Sequence, residues 1–188
     1  MRAFIGIDLP FKTKDKISKI QEDLKALNLK LKWANSKNIH LTLKFLGNIK
    51  ELRIPEIKEA INKTTKDLSA FEISLKDFGF FPNQNKPRVF FIETSKANLL
   101  KSIADKLEDS LAKIGFEKEG RFKSHITLAR IKALDNIALL KDKIETIKLE
   151  EKFQIKAVTL YQSTLTPDGP IYKEIYTNNL ATLRIKQA

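Results

Sequence analysis

Asn38-Ile39-His40-Leu41-Thr42-Leu43-Lys44-Phe45-Leu46 and Ser124-His125-Ile126-Thr127-Leu128-Ala129-Arg130 are the stretches that decide the fold. Each sets a histidine and a threonine two residues apart inside an apolar run. Successive side chains on a β-strand project to opposite faces, so positions i and i+2 share one face. His40 with Thr42, and His125 with Thr127, therefore form polar rows, while Leu41, Leu43, Ile126 and Leu128 turn toward a core. These are the only two histidines in the chain. With 12 threonines among 188 residues, chance places threonine two positions after both histidines about 0.4% of the time.

The two stretches are separated by nearly half the chain, as a duplicated strand–helix unit would be. A pseudo-two-fold axis between such units places the motif strands at equivalent positions. The expected architecture is α+β and bilobal: two pseudo-symmetric lobes of antiparallel sheet, helices outside, the motif strands facing a central groove. The whole of 1–188 then reads as one domain built from two similar halves, about 1–94 and 95–188, with strand exchange between them left open.

Working outward, residues 2–9 alternate as a strand closed by Pro10, and Ile17, Ile20, Leu24 and Leu27 recur at helical spacing. Pro55 suits the first turn of a helix with Ile57, Ile61 and Leu68 on its apolar face. Residues 71–78 and 88–94 read as paired strands joined by the turn-rich segment 79–87. Ser95 is the expected N-cap of a helix whose stripe is Leu99, Leu100, Ile103, Leu107, Leu111 and Ile114, closed by Gly115. Beyond the second motif strand (122–131), a helix is expected over 134–147, one long strand over 153–165, a turn over 166–170 and a last strand over 171–177.

The composition, 42% hydrophobic and 31% charged, is that of a globular chain. The apolar start Met1–Ile7 is interrupted by Asp8, and no stretch is long enough to span a bilayer. With no cysteine, disulfides, thiolate metal sites and a catalytic thiol are excluded, and cytoplasmic residence is the simplest fit. The formal charge of +12 favours a polyanionic partner, nucleic acid first, against the plainer reading of a solvated lysine-rich surface.

Two facing imidazoles suit a reaction that removes a proton on one side and supplies one on the other near neutral pH. Threonine hydroxyls beside them donate to non-bridging phosphate oxygens. In-line displacement at phosphorus requires that layout. Without an aspartate cluster or further histidines, neither metal nor cofactor is expected.

These residues resemble the two-histidine (2H) phosphoesterase superfamily, and within it the RNA 2′,3′-cyclic phosphodiesterases historically called 2′-5′ RNA ligases. Besides the two motifs, the segment 2–7, Gly79-Phe80-Phe81-Pro82 with Pro87-Arg88-Val89, and Leu160-Tyr161-Gln162-Ser163-Thr164-Leu165 followed by Gly169-Pro170-Ile171-Tyr172 are similar to that family, so the likeness covers nearly the whole chain. It implies metal-independent hydrolysis of RNA 2′,3′-cyclic phosphate ends to 2′-phosphomonoesters, reversible in principle as 2′-5′ ligation. By the same analogy His125 is the proton acceptor, His40 the proton donor, and Thr42 and Thr127 the phosphate ligands. The near-symmetric motifs do not themselves fix which histidine is acid. Arg130, five residues after His125, falls on the opposite face of a regular strand and reaches a phosphate only through a bend or bulge. Phe80, Phe81 and Tyr161 either stack on a splayed base or pack in the core. Arg88 either pairs with phosphate or braces its loop, and Trp33 reads as packing. The expected partners are RNA ends, including tRNA halves or oligonucleotides, met by a monomer with no membrane and no obligate protein partner. The competing reading is a noncatalytic RNA-end or tRNA binding module.

Overall fold

Apolar alternation at the N-terminus forms β1 (Arg2–Asp8), and Pro10 leads into α1 (Phe11–Lys25), whose buried positions Thr13, Ile17, Gln21 and Leu24 follow the helical repeat. The computed structural model describes residues 1–167 and 169–182. Within these the chain continues through β2 (Leu31–Trp33), β3 (His40–Asn48), α2 (Ile54–Thr65), β4 (Phe71–Phe81), β5 (Val89–Thr94) and α3 (Ala97–Ala112). It ends with β6 (His125–Ile131), α4 (Ile137–Glu145), β7 (Lys152–Ile155), β8 (Ala157–Thr166) and β9 (Gly169–Asn179). The expected turn over 166–170 runs through Asp168, which lies outside the described residues.

The strands form one sheet in the order β7-β4-β5-β6-β3-β1-β8-β9, with β2 added to β6. Each pairing between them is antiparallel. The sheet curls, and Asn38, just before β3, donates to the Pro170 carbonyl at the start of β9, three strands away. This is the α+β architecture expected. The motif strands β3 and β6 are neighbours joined at a single register point, Leu41 opposite Ile126. To one side of this seam β1, β8 and β9 flank β3; to the other β5, β4 and β7 flank β6.

Leu41, Leu43, Ile126 and Leu128 are buried with Ile5, Ile7, Ile17 and Leu24 in the core. Gln21 of α1 donates at 3.0 Å to the carbonyls of both Ala34 and Leu128, fastening the helix beneath β6. Three expectations require correction. Ser95 does not cap α3: Lys96, at φ 54°, holds the N-cap position without a side-chain bond, and the Ser95 hydroxyl instead accepts from the Ser74 N–H at 2.7 Å. Leu99 is off the stripe and 36% exposed, because α3 buries Leu100, Ile103, Ala104, Leu107 and Leu111. The single strand expected over 153–165 is two, divided at Lys156, since β7 pairs with β4 whereas β8 pairs with β1.

Both motif strands carry a register shift just after their threonine. On β3, Gly6 opposes Thr42 while Ile5 opposes Lys44, so Leu43 is the additional residue. On β6, Phe91 opposes Thr127 while Phe90 opposes Ala129, so Leu128 is additional. A bulge of this kind inverts the alternation downstream. Lys44 accordingly goes inside at 4% exposure, and Phe45 outside at 55%.

Candidate active site

His40 and His125 begin their strands and are held alike. The Nδ1 of His40 lies 2.7 Å from the Asn38 carbonyl, and that of His125 lies 2.7 Å from the Lys123 carbonyl. A carbonyl only accepts, so both Nδ1 atoms carry hydrogen, and Nε2 is the working atom of each ring. His40 Nε2 is 2.8 Å from Thr42 Oγ1. Extending the antiparallel register from Leu41–Ile126 sets His40 opposite Thr127 and Thr42 opposite His125, which brings the four expected polar groups to one seam.

Burial pushes both imidazoles below their ordinary pKa of 6.5. For His40 the Asn38 carbonyl and the Asp8 carboxylate oppose the shift, while Lys14 and His125 add to it. For His125 the Lys123 carbonyl opposes it and the Lys123 ammonium adds to it. An acid stands across the ladder from each: Asp8 opposite His40 and Glu93 opposite His125. Each is paired with a lysine, Asp8 with Lys14 at 2.6 Å and Glu93 with Lys123 at 2.7 Å.

Aromatic rings fix the imidazoles from the side. Phe4 lies 4.7 Å from His40 between ring centroids, and Tyr172 meets it edge-on at 5.1 Å. Phe81 and Phe91, stacked at 4.2 Å, meet His125 edge-on at 4.9 and 5.4 Å. Two glycines make room for these rings. A Cβ on Gly6 would lie 2.9 Å from the Leu41 carbonyl and 3.3 Å from the Phe4 ring; one on Gly79 would lie 2.5 Å from two atoms of the Phe91 ring. Gly79→Ala must therefore displace Phe91 and loosen His125. The expected result is a loss of about 1–3 kcal/mol, read as a lower Tm by about 2–4 °C per kcal/mol, together with reduced turnover.

The remaining sequence candidates separate. The bulge at Leu128 brings Arg130, opposite Val89, back to the face carrying His125 and Thr127, and its charge is felt by Tyr172 beside His40. Phe81 is on the site face against His125. Tyr161, 7% exposed, stacks on Phe4 at 5.0 Å, and its hydroxyl has no hydrogen-bond partner among the described residues. Phe80 is core, stacked on Phe90 at 5.3 Å, so it does not reach the site. Trp33 packs edge-on against Phe90. The Arg88 side chain is exposed, while its N–H donates to the Phe81 carbonyl and its own carbonyl accepts from Ile131, bracing the loop. Sequence reasoning missed Phe4, Phe91, Tyr172 and Asp8. The glycine inside Ile5-Gly6-Ile7 was the available signal, since a strand glycine marks a close approach. Among the described residues no three His, Cys, Asp or Glu side chains gather as a metal ion requires.

The profile of the family described as LigT-like phosphoesterase matches the chain twice, over residues 7–91 and 92–172. The chain belongs to this family. The LigT-like phosphoesterase is 40% identical over 177 residues to the RNA 2′,3′-cyclic phosphodiesterase of Methanocaldococcus jannaschii, covering 93% of this chain and 98% of that one. It is 35% identical to the enzyme of the same name from Thermotoga maritima, covering 94% of each. Among solved structures, a Thermus thermophilus protein superposes with a TM-score of 0.79 at 24% identity, over 97% of this chain and 100% of that one. Escherichia coli LigT superposes at 0.75 and 21% identity, over 96% and 98%, and has also been solved with 3′-AMP. In this phosphoesterase two imidazoles held through Nδ1, two hydroxyls and one arginine line a single seam, a set able to move two protons around a phosphate.

Proposed function

We propose that this phosphoesterase hydrolyses RNA 2′,3′-cyclic phosphate ends to 2′-phosphomonoesters without a metal, on the reading that His125 is the base and His40 the acid. The observation that carries this is the matched clamping of both Nδ1 atoms at 2.7 Å, which leaves both Nε2 atoms for chemistry on adjoining strands. His125 Nε2 takes a proton from water as its oxygen bonds to phosphorus. The P–O3′ bond breaks on the far side, and His40 Nε2–H delivers a proton to the departing oxygen. Thr127 and Thr42 donate to the non-bridging oxygens, and Arg130 offsets their charge. His40 Nε2, which lies 2.8 Å from Thr42 Oγ1, is released to the departing oxygen when that threonine hydroxyl turns to the phosphate. Proton exchange with solvent returns both rings to their starting states, and the same step with an RNA 5′-hydroxyl in place of water is 2′-5′ ligation.

The same reading takes 1–188 as one domain of two similar halves, monomeric and cytoplasmic, acting on RNA ends. Its net charge of +12 supports the RNA partner, and its lack of cysteine the cytoplasmic reading.

The pH dependence tests the assignment. One ring must be neutral and the other protonated, so kcat/KM for an RNA ending in a cyclic phosphate is expected to follow a bell. Burial lowers both imidazoles; the alkaline limb, on which the acid loses its proton, therefore falls with a midpoint below 6.5. The negative charge of the bound cyclic phosphate favours the imidazolium, so the corresponding limb in kcat lies at higher pH. A flat profile between pH 5 and 8 with chemistry rate-limiting contradicts the two-histidine mechanism.

A further inference from the structure

Ala3, Ile5 and Ile7 of β1 are core, so Arg2, Phe4, Gly6 and Asp8 share the other face, and the unbroken β1–β8 ladder keeps that alternation regular. It is the face of His40, since Phe4 lies against that ring. Phe45 opposes Phe4 and belongs to the same face, its ring 6.2 Å from the Phe4 ring and more than half exposed. Arg2 stands four positions from Gly6, the residue opposite Thr42, which is about 13 Å along the strand. There the sheet opens into a groove of about 560 Å³, lined by Arg2, Asn48 and the β8 residues Gln162, Ser163, Thr164 and Leu165. That space falls within the roughly 300–1,000 Å³ of small-ligand sites and holds one nucleotide.

The lining has the chemistry of a phosphate and sugar site. It offers a guanidinium, two amides and two hydroxyls, with no carboxylate among the described residues. Arg2 enters no ion pair among those residues, so its donors remain for a ligand. The groove is also continuous with the active site. Burial raises the Tyr172 phenol, and the charges of Arg130 and Arg2 both oppose that rise, while the Tyr172 ring meets His40 edge-on. The two arginines thus flank Tyr172, one from the seam and one from the groove. Beside them Phe45 leaves an aromatic face bare, the kind of surface on which an unpaired RNA base stacks.

We propose that this groove binds the second nucleotide of the RNA, counted from the cyclic phosphate end, with Arg2 on the phosphate that joins it to the terminal nucleotide and Phe45 under its base. The inference rests on the hydrolase reading in one respect: His40 protonates O3′, so the terminal ribose lies on the His40 side, and the strand continuing from its O5′ runs over β3, β1 and β8. The planar fork of an arginine matches two oxygens of a phosphodiester. Contacts to phosphate and to the flat face of a base carry little sequence information. The groove therefore selects for length: a mononucleotide cyclic phosphate leaves Arg2 and Phe45 unused, and an RNA end engages both.

The test compares uridine 2′,3′-cyclic phosphate with adenylyl-uridine 2′,3′-cyclic phosphate as substrates, and uridine 2′-monophosphate with adenylyl-uridine 2′-monophosphate as ligands in titration calorimetry. Wild type is expected to favour the dinucleotide at least tenfold in both kcat/KM and Kd. Arg2→Gln and Phe45→Ala are each expected to shrink that ratio at least threefold. Both side chains are exposed, and because the ratio is taken within one preparation, any lost folding cancels from it. A wild-type ratio within twofold, or a ratio that either variant leaves intact, overturns the proposal. Absence of turnover with both substrates counts against the hydrolase reading instead, and the calorimetric ratio still decides the groove.

Discussion

His125→Ala is expected to lower kcat on an RNA with a 2′,3′-cyclic phosphate end by about 10²–10⁴-fold, with His40→Ala falling by a similar factor, as loss of a positioned acid or base does. Both rings have carbonyl-fixed Nδ1 atoms and aromatic neighbours, so alanine removes the proton carrier without removing a core side chain. Far-ultraviolet circular dichroism and Tm should stay close to wild type, and RNA should still bind, because the basic surface is untouched. The two variants are expected to diverge on an aryl phosphodiester whose leaving group departs without protonation. His40→Ala should recover a large part of its activity there and His125→Ala should not. Equal recovery of both, or of His125→Ala alone, contradicts the assignment of roles.

Glu108→Ala is expected to cost about 3 kcal/mol, the scale for stripping one partner from a buried ion pair, which for a chain of this size lowers Tm by about 6–12 °C. The side chains of Lys44 and Glu108 are only 3% and 11% exposed and meet at 2.9 Å. Lys44 also donates to the Glu117 carbonyl at 2.8 Å, and Glu108 accepts from the N–H groups of Glu119 and Gly120 at 3.0 and 3.1 Å. Burial alone raises the Glu108 carboxyl; Lys44 and the two N–H groups outweigh it and hold it below the ordinary range. The stabilisation from this carboxylate is therefore present above its unfolded-state pKa and lost as pH falls through the lower folded value. The pair joins β3 to α3 and the loop before β6, and so fixes the spacing of the two motif strands. As a contrast, Lys101→Ala breaks an exposed i,i+4 pair with Asp105 and should cost under about 1 kcal/mol. Differential scanning calorimetry on the two variants separates the cases; equal small shifts contradict the buried-pair account.

The chemistry of the site was legible because it is written in a period of two. His40–Thr42 and His125–Thr127 each share a strand face whatever the rest of the chain does, and the same alternation committed Leu41 and Ile126 to the core where the strands meet. Helical stripes such as Leu100, Ile103, Leu107 and Leu111 were legible for the same reason, at a period of 3.6. What stayed hidden depends on partners remote in sequence. β2 is three residues long and exists by pairing with β6. The break at Lys156 follows from a change of neighbour strand, which local alternation does not record. The bulges at Leu43 and Leu128 put Lys44, Phe45 and Arg130 on the faces opposite to those of a regular strand, and they arise from the β1 and β5 ladders. Ser95 reads locally as a cap, but the Ser74 N–H of β4 claims its hydroxyl.

The most direct measurement is incubation of the purified protein, in EDTA, with an RNA oligonucleotide ending in a 2′,3′-cyclic phosphate, the product end being identified by mass and phosphatase sensitivity beside a His40→Ala control. The account predicts a gain of one water, a phosphatase-sensitive 2′-phosphomonoester, and loss of that product in the variant. RNA that is bound yet unchanged, a product that forms equally without His40, or one ending in a 3′-phosphate would contradict it.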